Sequence, residues 1–355
     1  MGIKTPEELK MKAIGYLKSL PIDQADSLIN IEIPIPEATG CDLLVKVAAI
    51  SVNPVDTKVR MRAEPEGDEH KILGWDAVGE VVAVGDQTEL FKVGDLVWYA
   101  GDITRSGSNA EYQLVDERIV GKKPQSLSNE EAAAMPLTAI TAYELLFARL
   151  DFKVNQKTED SEPGSPQPCI LIMGAAGGVG SILTQLAKKL TNATVIGTAS
   201  RPESQQWVRD LGADHVINHH QPLQQQLSDL GIENVTHVIS LTHTEQHFSQ
   251  LVEVLAPQGK LALIDDPADG LDILKLKLKS LSLHWELMFT RSMLNTWDMQ
   301  KQHDLLNHVS ELIDAGVLKT TMGENYGTIN AENLKRAHAH IETNQTVGKV
   351  VLEGF

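Results

Sequence analysis

The clearest chemical signal in the chain is a bend of small residues, Gly174-Ala175-Ala176-Gly177-Gly178-Val179-Gly180. They fall as Ala175-x-Gly177-x-x-Gly180, between an apolar run that ends at Met173 and an amphipathic stretch over 178–190. Each position has a task in holding a pyrophosphate. A small first residue permits the tight turn. A residue without Cβ at 177 lets phosphate reach the backbone, and Gly180 lets a helix lie close on the strand. The helix start, with Gly178 and Val179, offers N–H groups and the positive end of a dipole. About twenty residues further on, a site for an unphosphorylated ribose carries Asp or Glu. Here that count reaches Ser200, within Thr198-Ala199-Ser200-Arg201. A carboxylate would repel a 2′-phosphate, whereas a hydroxyl and a guanidinium bind one, the guanidinium bidentately. NADP(H) is therefore the expected cofactor. Its expected contacts are Ala175, Gly177, Gly178, Val179, Gly180, Thr198, Ser200, Arg201 and Leu241. The competing readings are a ligand-free turn with Arg201 capping the surface, and NAD bound with the help of Glu203.

These residues need a framework. Short apolar runs over 170–173, 194–198, 215–217, 236–241 and 260–264 alternate with helical patterns over 178–190, 202–211 and 245–255. Pro202 opens one helix and Gly212 stops it, as helix chemistry favours. This βαβ rhythm predicts a doubly wound parallel sheet, hence an α/β fold. Ahead of it, residues 12–121 read as short strands with turn punctuation, an antiparallel barrel-like domain. Residues 130–150 read as helix interrupted at Pro136, and 151–168, with its charges and prolines, as a solvated surface loop. Two helices near 299–315 and 331–343 and a strand at 349–352 end the chain.

A length of 355 residues favours two domains. With 42% hydrophobic and 22% charged residues the chain is globular. Its 31 basic and 48 acidic residues leave a net charge of −17, which argues against nucleic-acid and membrane-surface partners. An anionic cofactor then needs a local positive pocket, and the helix dipole supplies one. Cys41 and Cys169 are the only cysteines, too few for a disulfide framework or a four-cysteine zinc lobe. Residues 1–18 show no secretory signal. The uncharged stretch 163–187 is too broken by glycine and proline for a membrane span. A cytoplasmic protein is expected. His243-Thr244-Glu245-Gln246-His247 lacks the zincin placement of Glu. With His219, His220 and His237 it reads as solvated surface rather than a metal site.

Several motifs in order resemble the medium-chain dehydrogenase/reductase superfamily, on its quinone oxidoreductase side, and especially bacterial proteins labelled zinc-type alcohol dehydrogenase-like. They are Ile50-Ser51-Val52-Asn53-Pro54-Val55-Asp56, Gly74-Trp75-Asp76-Ala77-Val78-Gly79, Gly107-Ser108-Asn109-Ala110-Glu111-Tyr112, Pro136-Leu137-Thr138-Ala139-Ile140-Thr141-Ala142-Tyr143 and the glycine bend. The likeness covers nearly the whole chain. It implies a GroES-like substrate domain over 1–137, a Rossmann domain over 138–290 and a return segment over 291–355. It also implies a homodimer. The positions at which zinc-using relatives carry catalytic metal ligands are Asn53, Trp75 and Leu137 here. Trp and Leu are not zinc ligands and Asn is a poor one, so no zinc is expected.

Without a Lewis acid, alcohol oxidation is hard, whereas hydride transfer to a quinone or an α,β-unsaturated carbonyl needs little activation. The resemblance places Asn53 near the nicotinamide, where it would donate to developing oxyanion charge. Asp56 would position substrate or water. Lys58, where many quinone oxidoreductases have Tyr, would supply charge or a proton, or else lie on the surface. Thr138 and Trp75 would line the substrate pocket. The alternatives are a zinc-dependent alcohol dehydrogenase and a non-enzymatic NADPH-binding protein.

Overall fold

The computed structural model describes residues 9–65, 67–155 and 164–355. The chain forms two compact units that meet at 140/141 and 288/289, the first unit combining both ends of the chain. The sequence places these joints at 137/138 and 290/291.

The first unit begins with β1 (Lys10–Tyr16), β2 (Ile29–Pro34), β3 (Asp42–Val52), α1 (Pro54–Arg62), β4 (Lys71–Ile72), β5 (Ala77–Val84), β6 (Leu96–Tyr99), β7 (Tyr112–Asp116) and β8 (Val120–Lys122), then α2 (Asn129–Ala133) and α3 (Pro136–Glu144). Helix α1 interrupts the stretch that reads as all strand. Its signal is present in the sequence: Asn53 at the N-cap and Pro54 at the first helical position. The single helix predicted over 130–150 is α2, α3 and a π-helical stretch, Leu145–Arg149.

The second unit holds β9 (Cys169–Met173), α4 (Gly178–Leu190), β10 (Thr194–Thr198), α5 (Pro202–Asp210), β11 (His215–Ile217), α6 (Leu223–Asp229), β12 (Val235–Ser240), α7 (Thr244–Val254), β13 (Leu255–Leu263) and β14 (Ser282–Trp285). The strands form one parallel sheet in the order β11-β10-β9-β12-β13-β14. The order reverses between β9 and β12, which opens a crevice at the carboxyl ends of those strands. All five residues of β9 are buried, as a strand covered on both faces requires. Leu171, Met173, Val238 and Leu261 share a core cluster with Phe248 and Leu251 of α7. Strand β14 and helix α6 are not evident from periodicity, because each is short. Of the predicted surface loop 151–168, residues 156–163 lie outside the described residues, as do residues 1–8 of the N-terminal stretch.

The return segment adds α8 (Thr290–Met293), α9 (Lys301–Asp314), β15 (Met322–Asn325), α10 (Ala331–Glu342) and β16 (Lys349–Glu353) to the first unit. Its seven-stranded sheet runs β15-β16-β3-β5-β6-β8, with β7 also paired to β3. The buried strand β16 thus pairs antiparallel with β3, Val350 opposite Val52 and Val351 opposite Ser51. A smaller sheet runs β2-β1-β4. Among the described residues no helix is long and apolar enough to cross a membrane.

Candidate functional site

The glycine bend joins β9 to α4 at the carboxyl edge of the parallel sheet. Its glycines have different causes. A Cβ on Gly180 would lie 2.6 Å from the Ala175 backbone and clash with the Gly174 carbonyl, so the close approach of helix to strand excludes any side chain. Gly177 has φ −74°, which any residue adopts, and a Cβ there would meet only the Gly174 carbonyl, at 3.6 Å. Among the described residues, nothing in the packing requires glycine at 177. The space beside it fits the approach of a phosphate. The first-turn amides of α4 have no intrahelical acceptors, which suits an anion.

The remaining contacts hold this bend or lie beside it. The Gly174 N–H donates to the Thr198 hydroxyl at 3.0 Å, and the Ala175 N–H to the Thr198 carbonyl at 3.2 Å. Thr198 is thus buried and braces the turn. Ala175 fits in the first small position because β10 carries Gly197 opposite it: a Cβ on Gly197 would lie 2.8 Å from that of Ala175. The Leu241 N–H donates to the Met173 carbonyl at 3.3 Å. Ser200 is half-buried after β10, and Arg201 and Glu203 are exposed at the start of α5. The structure therefore gathers the predicted cofactor contacts along one edge of the second unit. This edge fits a nicotinamide dinucleotide.

In the first unit the predicted residues meet in a buried polar network. Asn53 caps α1, and its N–H donates to Asp56 Oδ2 at 2.7 Å. Its side-chain amide donates to Asp76 Oδ2 at 2.8 Å and to the Trp75 carbonyl at 3.3 Å. The Leu137 N–H, in the first turn of α3, donates to Asp76 Oδ1 at 2.7 Å. Lys349 of β16 completes the set. Its Nζ donates to Asn53 Oδ1 at 2.6 Å and the Val52 carbonyl at 3.0 Å, and lies 3.2 Å from Asp76 Oδ2. Asn53, Asp56, Asp76 and Lys349 are all buried. Burial pushes the Asp56 carboxyl up to about 7 and the Asp76 carboxyl up to about 6, against the pull of Lys349 on each. Burial also lowers the Lys349 ammonium, against the pull of Asp76.

Two of the resemblance motifs pack together around this network. Gly74, at φ +116°, has Ser108 and Asn109 where a Cβ would project, and the Ser108 N–H donates to its carbonyl at 3.0 Å. Sequence reasoning quotes Asp76 within a motif and takes Lys349 as the start of a strand, missing both as network members. A lysine opening an otherwise apolar strand was the available signal.

The other predicted residues have local partners. The Trp75 indole N–H donates to the Asp102 carbonyl at 3.3 Å, and its ring meets Phe289 edge-on at 6.1 Å. The Thr138 hydroxyl donates to the Met135 carbonyl at 3.0 Å, within the first turn of α3. Lys58 is half-buried two residues after Asp56, a rotation of about 200° around α1. It lines a groove of about 480 Å³ with Pro21, Met61 and Glu342, and the network bonds of Asn53 and Asp76 do not include it.

The donor chemistry at the three zinc-ligand positions does not fit zinc. Asn53 spends both ends of its amide inside the network, Trp75 offers an N–H already donated, and Leu137 offers hydrocarbon. Among the described residues no group of three or more His, Cys, Asp or Glu side chains is arranged to hold a metal ion.

Comparison with known proteins agrees with this architecture. The model of the alcohol dehydrogenase GroES-like domain matches residues 40–125, and that of the zinc-binding dehydrogenases matches residues 211–352. A zinc-type alcohol dehydrogenase-like protein from Staphylococcus epidermidis is 38% identical over 96% of this chain and 99% of its own. A crystal structure of a candidate zinc-dependent alcohol dehydrogenase from Rhizobium etli CFN 42 is 52% identical, with a TM-score of 0.92 over 98% of each chain. A mycobacterial protein, Rv1454c, solved with NADPH, is 27% identical with a TM-score of 0.79, over 97% of this chain and 99% of that one. The chain belongs to the medium-chain dehydrogenase/reductase superfamily and is an oxidoreductase of that type.

Proposed function

We propose that the protein is an NADPH-dependent reductase that passes hydride to a quinone or an α,β-unsaturated carbonyl without catalytic zinc. The observation that carries this reading is a glycine at 177 that the protein's own packing does not need, at the start of a helix on the switch-point edge of a parallel sheet. NADPH over NADH rests on Ser200 and Arg201 where an acid would exclude the 2′-phosphate.

Bound NADPH would supply the hydride, and the protein supplies position. With donors at 53, 75 and 137 that do not suit a Lewis acid, acceptors that are already electrophilic suit the chain best. Asn53 and Asp56 act as positioning residues in this reading. The Asn53 amide would donate to a substrate oxygen only by releasing Asp76 or the Trp75 carbonyl. Trp75 and Thr138 serve as walls of the substrate pocket. A homodimer in the cytoplasm completes the proposal. Support for a second copy comes from β14, which ends the sheet order among the described residues, with Trp285 exposed on it and Leu274 and Leu278 exposed in the segment that precedes it in sequence.

Arg201→Ala is expected to weaken NADPH binding by about 1.5–3 kcal/mol, the range for a hydrogen bond to a charged group, and to leave NADH binding unchanged. Titration calorimetry with both dinucleotides measures this. NADPH consumption against quinones, enones, aldehydes and alcohols tests the substrate class. One tightly held zinc per chain with chelator-sensitive alcohol oxidation would overturn the reading.

A further inference from the structure

Helix α1 is basic within a chain of net charge −17: Lys58, Arg60 and Arg62 fall among its nine residues. The last turn of a helix favours cations, which accounts for Arg60 and Arg62. Arg60 is fully buried and turns inward. It donates to His338 Nδ1 at 2.9 Å and pairs with Glu342, both on α10. Burial, then the Arg60 charge, push His338 down to about 3, so Glu342 is the group that answers the Arg60 charge. Lys58 and Arg62 are four residues apart, on one face of α1. Lys58 is half-buried and Arg62 exposed, so both present surface that a ligand can meet.

That face is one wall of the 480 Å³ groove, and the segment of Ile22 and Asp23 is the opposite wall. The volume falls within the range of small-molecule sites, about 300–1,000 Å³. Its lining is of two kinds. Met61, 46% exposed beside Lys58 and Arg62, and Ile22 offer hydrocarbon. A flexible methionine adapts to irregular apolar ligands. The other kind is charge: Lys58 and Arg62, with Arg60 behind them, outnumber Asp23 and Glu342 by one. A carboxylate makes strong bonds to such cations. The chain shows this chemistry at the rim of the groove, where the Glu342 carboxylate meets Arg60.

We propose that this groove binds a small organic acid, its carboxylate on Lys58 and Arg62 and its hydrocarbon body along Met61 and Ile22. The proposal stands apart from the NADPH reading and gives Lys58 a task other than proton supply. A bare anion would forgo the Met61 contact, and a neutral molecule would forgo the cations. Asn53 caps the same helix, about 7.5 Å along its axis from Lys58 at 1.5 Å per residue. An acid in the groove therefore rests on the helix that holds the Asn53 network.

Titration of hexanoate into the full-length protein, with isotope-labelled methionine methyls followed by NMR, tests it. The Met61 methyl signal, assigned by its loss in Met61→Leu, should shift saturably at roughly millimolar hexanoate. Hexanamide, with the body but no charge, and acetate, with the charge but no body, should each bind about tenfold more weakly. Lys58→Met and Arg62→Met should each weaken hexanoate about fivefold or more with an unchanged melting temperature, and added salt should weaken it in the wild type. Lys58→Arg keeps the charge and should keep the affinity within about threefold, whether or not Lys58→Met folds. Hexanamide that binds as well as hexanoate reduces the groove to an apolar surface. Acetate or inorganic phosphate that binds as well reduces it to a general anion patch. Either result overturns the proposal, as does a Met61 signal that never moves, or Lys58→Met and Arg62→Met binding hexanoate like the wild type.

Discussion

The glycine bend of the second unit and the Asp76 network of the first treat polar groups in opposite ways. Around Asp76 both carboxylate oxygens, both ends of the Asn53 amide and the Lys349 ammonium are satisfied within the protein. At the bend, the first helix amides lack intrahelical acceptors, and Gly177 leaves room that no described residue fills. A region that binds must keep valence in reserve, whereas a region that positions must spend it. Proximity to a family motif does not separate the two roles, but the hydrogen-bond account does.

The largest effect should come from Lys349→Met. Breaking a buried pair strands its partner's charge, at about 3–5 kcal/mol, read as a lower urea midpoint. A loss below 1 kcal/mol would mean that Asp76 does not depend on the lysine. Conservative Lys349→Arg should recover part of the loss.

The two glycines sharpen the contrast next. Gly180→Ala forces backbone apart and should lower stability by about 1–3 kcal/mol, as overpacking does. Gly177→Ala should leave the melting temperature within a degree or two, as a tolerated surface change does, while weakening dinucleotide binding at least tenfold. Equal stability losses in both variants would erase the distinction drawn at this turn.

A smaller effect concerns pH. Asp56, pushed up to about 7, holds its proton in the folded state over a range where an unfolded Asp, near 3.9, has lost it. Unfolding then releases a proton, so this group's contribution to stability falls as pH rises from about 4 to 7. Asp56→Asn removes that slope. Its stability relative to wild type should improve between pH 5 and pH 8 in parallel urea titrations. A gap that stays constant would show that Asp56 is ionised throughout.

The parallel sheet and the glycine bend at its carboxyl edge were legible in the sequence because their causes are local. Strand β10 and helix α4 have the residues that periodicity assigns, and the bend follows from the spacing of small residues. The Asp76 network was not legible, because Asn53, Asp76, Leu137 and Lys349 lie on separate segments and only the pairing of β16 with β3 brings the lysine in. Helix α1 was missed although Asn53-Pro54 announces it, since the strand-rich neighbourhood outweighed a two-residue cap. The histidines were seen as sequence neighbours and dismissed as surface. That His219 touches His247 depends on how α7 stands beside the β11 loop, which spacing does not encode.

Gly197 gives the alanine at the head of the bend a wider meaning. The gap between β9 and β10 has room for one methyl group, and here Ala175 contributes it while Gly197 contributes none. Steric economy is therefore shared by the bend and the adjoining strand, and the reverse allocation, glycine at 175 with alanine at 197, would also need Val208 to give way, because its Cγ1 stands 2.6 Å from where that methyl would be. Fingerprint searches that demand glycine at the head of the bend would overlook chains that settle the crowding on the neighbouring strand.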